Sequence, residues 1–104
     1  MAKTRALPPV HPGEILREEF LVPLKISSGK LASVCHVPRT RIERLVNEET
    51  SVTADTALRL GKALKTSPQL WLNLQAAFDI KTAEREIAAA LAEIETLPEI
   101  EHAA

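Results

Sequence analysis

The strongest constraint on this chain is its punctuation: residues that start helices recur along it, and each is followed by apolar residues at helical spacing. "HPGEILREEFLV" opens with Pro12, whose fixed φ suits a first helical turn, and Glu14 stands where the helix dipole favours an acid. Leu16 and Phe20 lie one turn apart with Ile15 alongside. Pro23 biases Val22 away from helical geometry, so the first helix is expected to end near Leu21. Ser27 or Ser28 can cap a second helix running to about Val34. Pro38 starts a third, to about Val46 or Asn47, and "NEETS" is a loop. Thr53 caps a fourth helix, in which Asp55 sits near the N-terminus, Ala57, Leu60 and Leu64 form an apolar stripe, and Lys62 and Lys65 occupy the last turn. Ser67 and Pro68 repeat the start signal for a fifth, with Leu70, Leu74 and Ala77 as its stripe and Trp71 and Phe78 beside it. "TAEREIAAALAEIETL" reads as a further helix with Ile87, Leu91 and Ile94 on one face, stopped by Pro98. No stretch alternates with period two for long enough to make a strand. The expected architecture is all-α: a flexible segment over residues 1–10, a five-helix domain over 11–81, and an additional C-terminal helix and tail over 82–104.

Residues 31–47, "LASVCHVPRTRIERLVN", set the functional question. Two short helices joined by Cys35, His36 and Val37 suggest a helix-turn-helix, whose second helix enters the major groove of DNA. Ala32 is small where the two helices cross, and Ile42 and Leu45 seat the second on the core. That leaves Arg39, Thr40, Glu43 and Arg44 outward. Arginines at 39, 41 and 44 look out of place in a chain of formal net charge −1 until the charge is divided along it. Residues 1–44 carry 8 Lys/Arg against 4 Asp/Glu, residues 45–81 carry 4 against 4, and residues 82–104 carry 1 against 6. A partner responds to the local field, so a basic front and an acidic tail matter more than the total. The bland alternative for the arginines is a solvated helix face.

The stretch resembles the helix-turn-helix of the lambda-repressor-like (XRE/Cro) family, and the wider sequence resembles the HigA (VapI-like) antitoxins. The matching pieces are "HPGEIL.EEFL.PL", "LA......VP..RI..LVN", "TADTALRL" and "TSPQLWLNLQAAFD", in that order over roughly residues 11–80. The resemblance implies a five-helix domain that dimerises, binds double-stranded operator DNA, and neutralises HigB, a RelE-like mRNA-cleaving toxin. A stand-alone XRE-type transcriptional regulator without a toxin is the alternative. Many family members have glycine in the turn where this chain has His36. That position calls for left-handed backbone, which histidine adopts more readily than most non-glycine residues. The start of the second helix, often a glutamine in the family, here offers Ser28 and Lys30.

On this reading the DNA-contacting set is Ser28, Lys30, Arg39, Thr40, Arg41, Glu43, Arg44 and Asn47. Arginine pairs bidentately with guanine O6 and N7, while threonine meets a thymine methyl group or a phosphate. Asn47 either bonds a phosphate or caps its helix, and Thr53 is a helix cap. Trp71, Phe78, Ile87 and Leu91 are the dimer-interface candidates, Trp71 being either core or interface. The stripe on the C-terminal helix needs cover from the domain or from a partner.

Other classes find little support. One cysteine permits no intramolecular disulfide, and Cys35 reads as a small apolar filler rather than a nucleophile, since no histidine or asparagine is placed to complete a relay. His11 reads as a cap or loop residue and His102 as part of a tail, so no metal site and no cofactor are expected. No nucleophile–base pair, paired carboxylates or phosphate loop is visible, which argues against an enzyme. Aromatics at 3% give no stacking platform for single strands. No segment approaches the ~20 apolar residues of a membrane span, and "MAKTRALPPV" lacks a signal-peptide core, so the expected location is cytoplasmic.

Overall fold

The caps lie where local chemistry puts them. The computed structural model describes residues 8–101, so most of the 1–10 segment, and His102, lie outside it. The first helical segment, α1 (residues 12–24), begins with His11 as its cap, the ring Nδ1 accepting from the Gly13 N–H at 2.9 Å. Ser27 caps α2 (Ser28–Cys35), Thr53 caps α4 (Ala54–Leu64) and Ser67 caps α5 (Pro68–Glu86), each side-chain oxygen accepting an N–H three residues on. Between α2 and α4 lies α3 (Arg39–Val46), preceded by Pro38 in extended geometry. His36 has the expected left-handed backbone, φ 59°. Lys25 and Lys65 end α1 and α4 in the same conformation.

Three expectations need correcting. First, α1 does not stop at Leu21. It passes from an α-helical turn (Pro12–Ile15) into a wider π-helical stretch (Leu16–Leu21) and on through Val22–Leu24. A proline ring in a helix collides with the carbonyl four residues back. The wider register, in which the Val22 N–H reaches the Arg17 carbonyl, relieves that crowding ahead of Pro23. Second, no separate helix starts at residue 82: "IKTAERE" contains neither glycine nor proline, and α5 runs unbroken to Glu86. The backbone departs at Ile87, φ −115°, followed by the short α6 (Ala88–Ala92). Third, Pro98 is not a stop. The chain leaves α6 at Glu93, and Pro98 opens a last turn, α7 (Pro98–Glu101).

The core is one cluster: Leu16 and Leu21 of α1, Leu31, Ala32 and Cys35 of α2, Ile42, Leu45 and Val46 of α3, Val52 of the following loop, Ala57 and Leu60 of α4, and Trp71 of α5. Trp71 is fully enclosed, its indole N–H donating to Thr66 Oγ1 at 2.7 Å and its ring tilted against Phe20. It therefore has no surface with which to meet a second chain, which removes it from the dimer candidates. The inward side of α5 is Trp71 and Gln75 with half-buried Leu72, Leu74 and Phe78; of the expected Leu70–Leu74–Ala77 stripe only Leu74 packs against the core, Leu70 and Ala77 being exposed. Gln75 is buried because its Oε1 accepts the Val52 N–H at 2.7 Å and its amide donates to Asp79 at 2.9 Å, so no polar atom there is wasted. Phe78 meets the His11 ring edge-on at 4.8 Å. From residue 83 onward every described side chain is exposed, including Ile87, Leu91, Ile94, Leu97 and Ile100. No helix among the described residues is long and apolar enough to cross a membrane.

Candidate nucleic-acid interface

Helix α3 is held on every side but one. Ile42 and Leu45 point into the core and are about 1% exposed, which turns Arg39, Thr40, Arg41 and Arg44 to solvent. Its C-terminal end is clamped by Arg17 of α1: one Nη donates to the Val46 carbonyl, the other reaches Glu48 at 3.3 Å, and Nε pairs with Glu18 at 2.9 Å. A cation among the last carbonyls also suits the helix dipole. The turn before α3 is held by Arg59 of α4, whose Nη1 donates to the Cys35 carbonyl at 2.7 Å and to that of His36 at 3.4 Å. Cys35 donates in return to the Arg59 carbonyl at 3.7 Å. Burial pushes the Cys35 thiol above its ordinary range, which keeps it protonated and suits a packing role.

The approach of α1 to α3 is close enough to specify the residue. A methyl group placed on Gly13 would lie 1.8 Å from the Leu45 carbonyl oxygen, so only glycine lets the start of α1 rest on the α3 backbone.

Each outward arginine has an acidic neighbour. Arg39 Nε pairs with Glu43 at 3.0 Å within α3, Arg41 Nη1 with Asp55 of α4 at 2.6 Å, and Arg44 Nε with Glu49 of the following loop at 4.0 Å. Asp55 also accepts from Arg59 Nε at 2.9 Å, and these two hydrogen bonds, from Arg59 and then from Arg41, hold its carboxyl below the usual range. The arginine side chains remain 69%, 41% and 61% exposed. A guanidinium carries five donors, so each retains N–H groups that can reach an external acceptor. Exposed pairs of this kind contribute little to stability.

The other expected contact residues lie around this face. Ser28 is half-buried in the first turn of α2 and Lys30 is exposed there. Gly29 between them lies against the Arg39 stem, 3.1 Å separating a methyl placed on it from Arg39 Cδ, so the starts of α2 and α3 form one patch. Glu43 is half-buried beside Arg39, and Asn47 is exposed at the end of α3. Two residues that position this patch carry no obvious functional signature in the sequence. Arg59 reads as an ordinary partner for Asp55 at i,i+4, and Asp55 as a dipole complement; that they also hold Arg41 and the turn depends on the packing of α4. Between α3 and the start of α4 a cleft of about 350 Å³ is lined by Arg41, Leu45, Thr50, Ser51, Thr53, Asp55 and Thr56. No His/Cys/Asp/Glu group among the described residues could hold a metal ion.

No protein-family model matches the chain, but individual proteins do. It is 49% identical over 80 residues to "Virulence-associated protein I" of Dichelobacter nodosus and 41% identical over 80 residues to "Antitoxin HigA-1" of Vibrio cholerae, each match covering 77% of this chain and 74% of the relative. Among solved structures it resembles Pseudomonas aeruginosa antitoxin HigA with the higBA promoter, at 41% identity and a TM-score of 0.82, over 86% of this chain and 98% of that one.

Proposed function

The chain belongs to the HigA-like (VapI-like) family of lambda-repressor-like helix-turn-helix proteins, and from that premise we propose that it is a dimeric antitoxin that represses its own operon and neutralises a RelE-like, mRNA-cleaving toxin. Its relatives are antitoxins and transcriptional regulators, proteins that bind rather than catalyse, and the chain is not an enzyme.

The observation that carries the reading is the two-faced character of α3. One side is buried through Ile42 and Leu45, both ends are clamped by Arg17 and Arg59, and the remaining face presents Arg39, Thr40, Arg41 and Arg44. A helix so fixed can enter a major groove without bending, with Arg39 at its N-terminal end, from which base edges are read. Arg41, Arg44, Lys30 and Ser28 are suited to phosphates, which orient the protein without reading sequence. Asn47 closes the same face. The solved relative named with its promoter supports DNA as the partner.

One such helix spans few base pairs, so a C2 homodimer presenting two of them about 34 Å apart fits an operator better. The exposed Ile87 and Leu91, 48% and 42% exposed, are the apolar surface for that pairing, with Phe78 at its edge. The protein acts in the cytoplasm, where its DNA and its toxin are. The test has two arms. The purified protein should shift DNA from upstream of its own reading frame and not a scrambled duplex. Co-expressed with the adjacent gene product, it should retain that protein in a pull-down and relieve its toxicity. A DNA shift without toxin capture would leave a stand-alone regulator; capture without a DNA shift would refute the operator-binding half.

A further inference from the structure

Arg39 occupies an electrostatically unfavourable place. It is the first residue of α3, where the helix dipole disfavours a cation, and no side chain caps that end. Two features nonetheless fix its geometry. Its stem lies against Gly29 of α2: a methyl there would lie 3.1 Å from Arg39 Cδ, tight enough to displace the exposed side chain by a few tenths of an ångström. Its head is held one turn on, the Nε lying 3.0 Å from the Glu43 carboxylate. The nitrogen engaged is informative. A carboxylate set beside Nε, as an ion pair and not a hydrogen bond, leaves both terminal nitrogens available, and that end-on pair can bridge guanine O6 and N7. Glu43 meanwhile is a carboxylate on a face meant for a polyanion, where charge alone would select against it.

We propose that Glu43 and Gly29 are specificity-determining positioning residues: together they preset the Arg39 guanidinium for end-on recognition of a guanine. Glu43 lowers affinity for DNA in general by its charge and raises discrimination at one base pair by fixing the direction in which Arg39 points. Gly29 leaves the channel along which the Arg39 stem runs. This inference rests on the reading of α3 as the DNA-reading helix.

The test compares Glu43→Ala, Glu43→Gln, Gly29→Ala and Arg39→Ala in the full-length protein. Affinities are measured for the upstream operator duplex, for a scrambled duplex, and for operators substituted one base pair at a time. Arg39→Ala first identifies the base pair at which preference is lost. Glu43→Ala should strengthen binding to scrambled DNA yet reduce discrimination at that same base pair by about two- to fivefold, the range an exposed ion pair carries. Glu43→Gln removes the charge that makes the ion pair while keeping the size of the side chain, so it should strengthen general binding and lose preference as Glu43→Ala does. Gly29→Ala should keep or raise the melting temperature, since alanine favours a helix, while reducing preference at the same position. In the Arg39→Ala background, Glu43→Ala should leave discrimination unchanged. The inference is overturned if Glu43→Ala strengthens operator and scrambled DNA by one common factor with base preference intact. An Arg39→Ala variant that keeps wild-type base preference would overturn it as well, whereas a wild-type protein that does not distinguish the two duplexes would instead refute the DNA-reading role of the helix.

Discussion

Gly13→Ala probes the seat of the reading helix without touching its outward face. The added methyl would lie 1.8 Å from the Leu45 carbonyl oxygen and 2.9 Å from its carbon. Carbon and carbonyl oxygen meet comfortably at about 3.3–3.6 Å, so α1 and α3 would have to part by roughly 1.5 Å. A gap of even 0.5–1 Å forfeits about a quarter to a half of each dispersion contact across it, and the side chains flanking this contact, Leu16 and Leu45, are among the most enclosed in the molecule. The strain belongs at or above the upper end of the ~1–3 kcal/mol seen for overpacked cores. Against it stands the gain from replacing a helical glycine, about 0.5–1 kcal/mol. The net expectation is a loss of about 2–3 kcal/mol, which in a domain of this size lowers the melting temperature by roughly 10–20 °C. Thermal and urea melts monitored by circular dichroism measure it directly. A variant that melts at or above the wild-type temperature would refute the close α1–α3 contact.

Three further outcomes follow from the packing. Gln75→Leu leaves the buried Val52 N–H without its acceptor and should cost about 1–3 kcal/mol in urea melts; an unchanged midpoint would mean that this N–H has another partner. Asp55 has a carboxyl held below its usual range by Arg59 and Arg41, so its contribution is complete above the unfolded value of about 3.9 and is lost as pH falls through the lower folded value. The stability gap between wild type and Asp55→Asn should therefore narrow in melts taken from about pH 5 toward 2, and a constant gap would contradict the ion-pair assignment. Leu91→Asp alters a side chain that is 42% exposed in the single chain, so it should leave the domain folded while shifting sedimentation from dimer to monomer; an unchanged dimer would move the interface elsewhere.

The parts of the molecule legible in the sequence are those governed by neighbours along the chain. Ser27, Thr53 and Ser67 cap helices because a hydroxyl three residues ahead of an N–H needs no tertiary help. The inward Ile42 and Leu45 are readable from spacing along the chain, while the left-handed turn at His36 is expected from the resemblance, whose members often have glycine there. What escapes such a reading depends on packing or on a change of register. Pro23 signals a helix end, and only the π-helical stretch before it lets α1 continue. Apolar periodicity finds Leu74 on α5 but misplaces the centre of its inward face, because Gln75 is buried through a hydrogen bond to a loop, a partner that no spacing along the helix announces. Within the interface, the outward arginines can be read from α3 itself. The acids that hold them can be read only where they share the helix, as Glu43 does, and Asp55 depends on where α4 packs.

The central claim is that α3 meets DNA through its arginines, and operator binding by the Arg39→Ala, Arg41→Ala, Arg44→Ala triple variant over a salt series tests it most directly. All three side chains are exposed, so the variant should retain its helical signal and cooperative melt. Wild-type affinity should fall steeply with salt despite the net charge of −1, because pairing arginine with phosphate releases counterions. The variant should bind far more weakly, with a slope shallower by about 0.9 for each phosphate that each chain ceases to neutralise. A folded triple variant with undiminished operator affinity and an unchanged salt slope would mean that the arginines are only a solvated face.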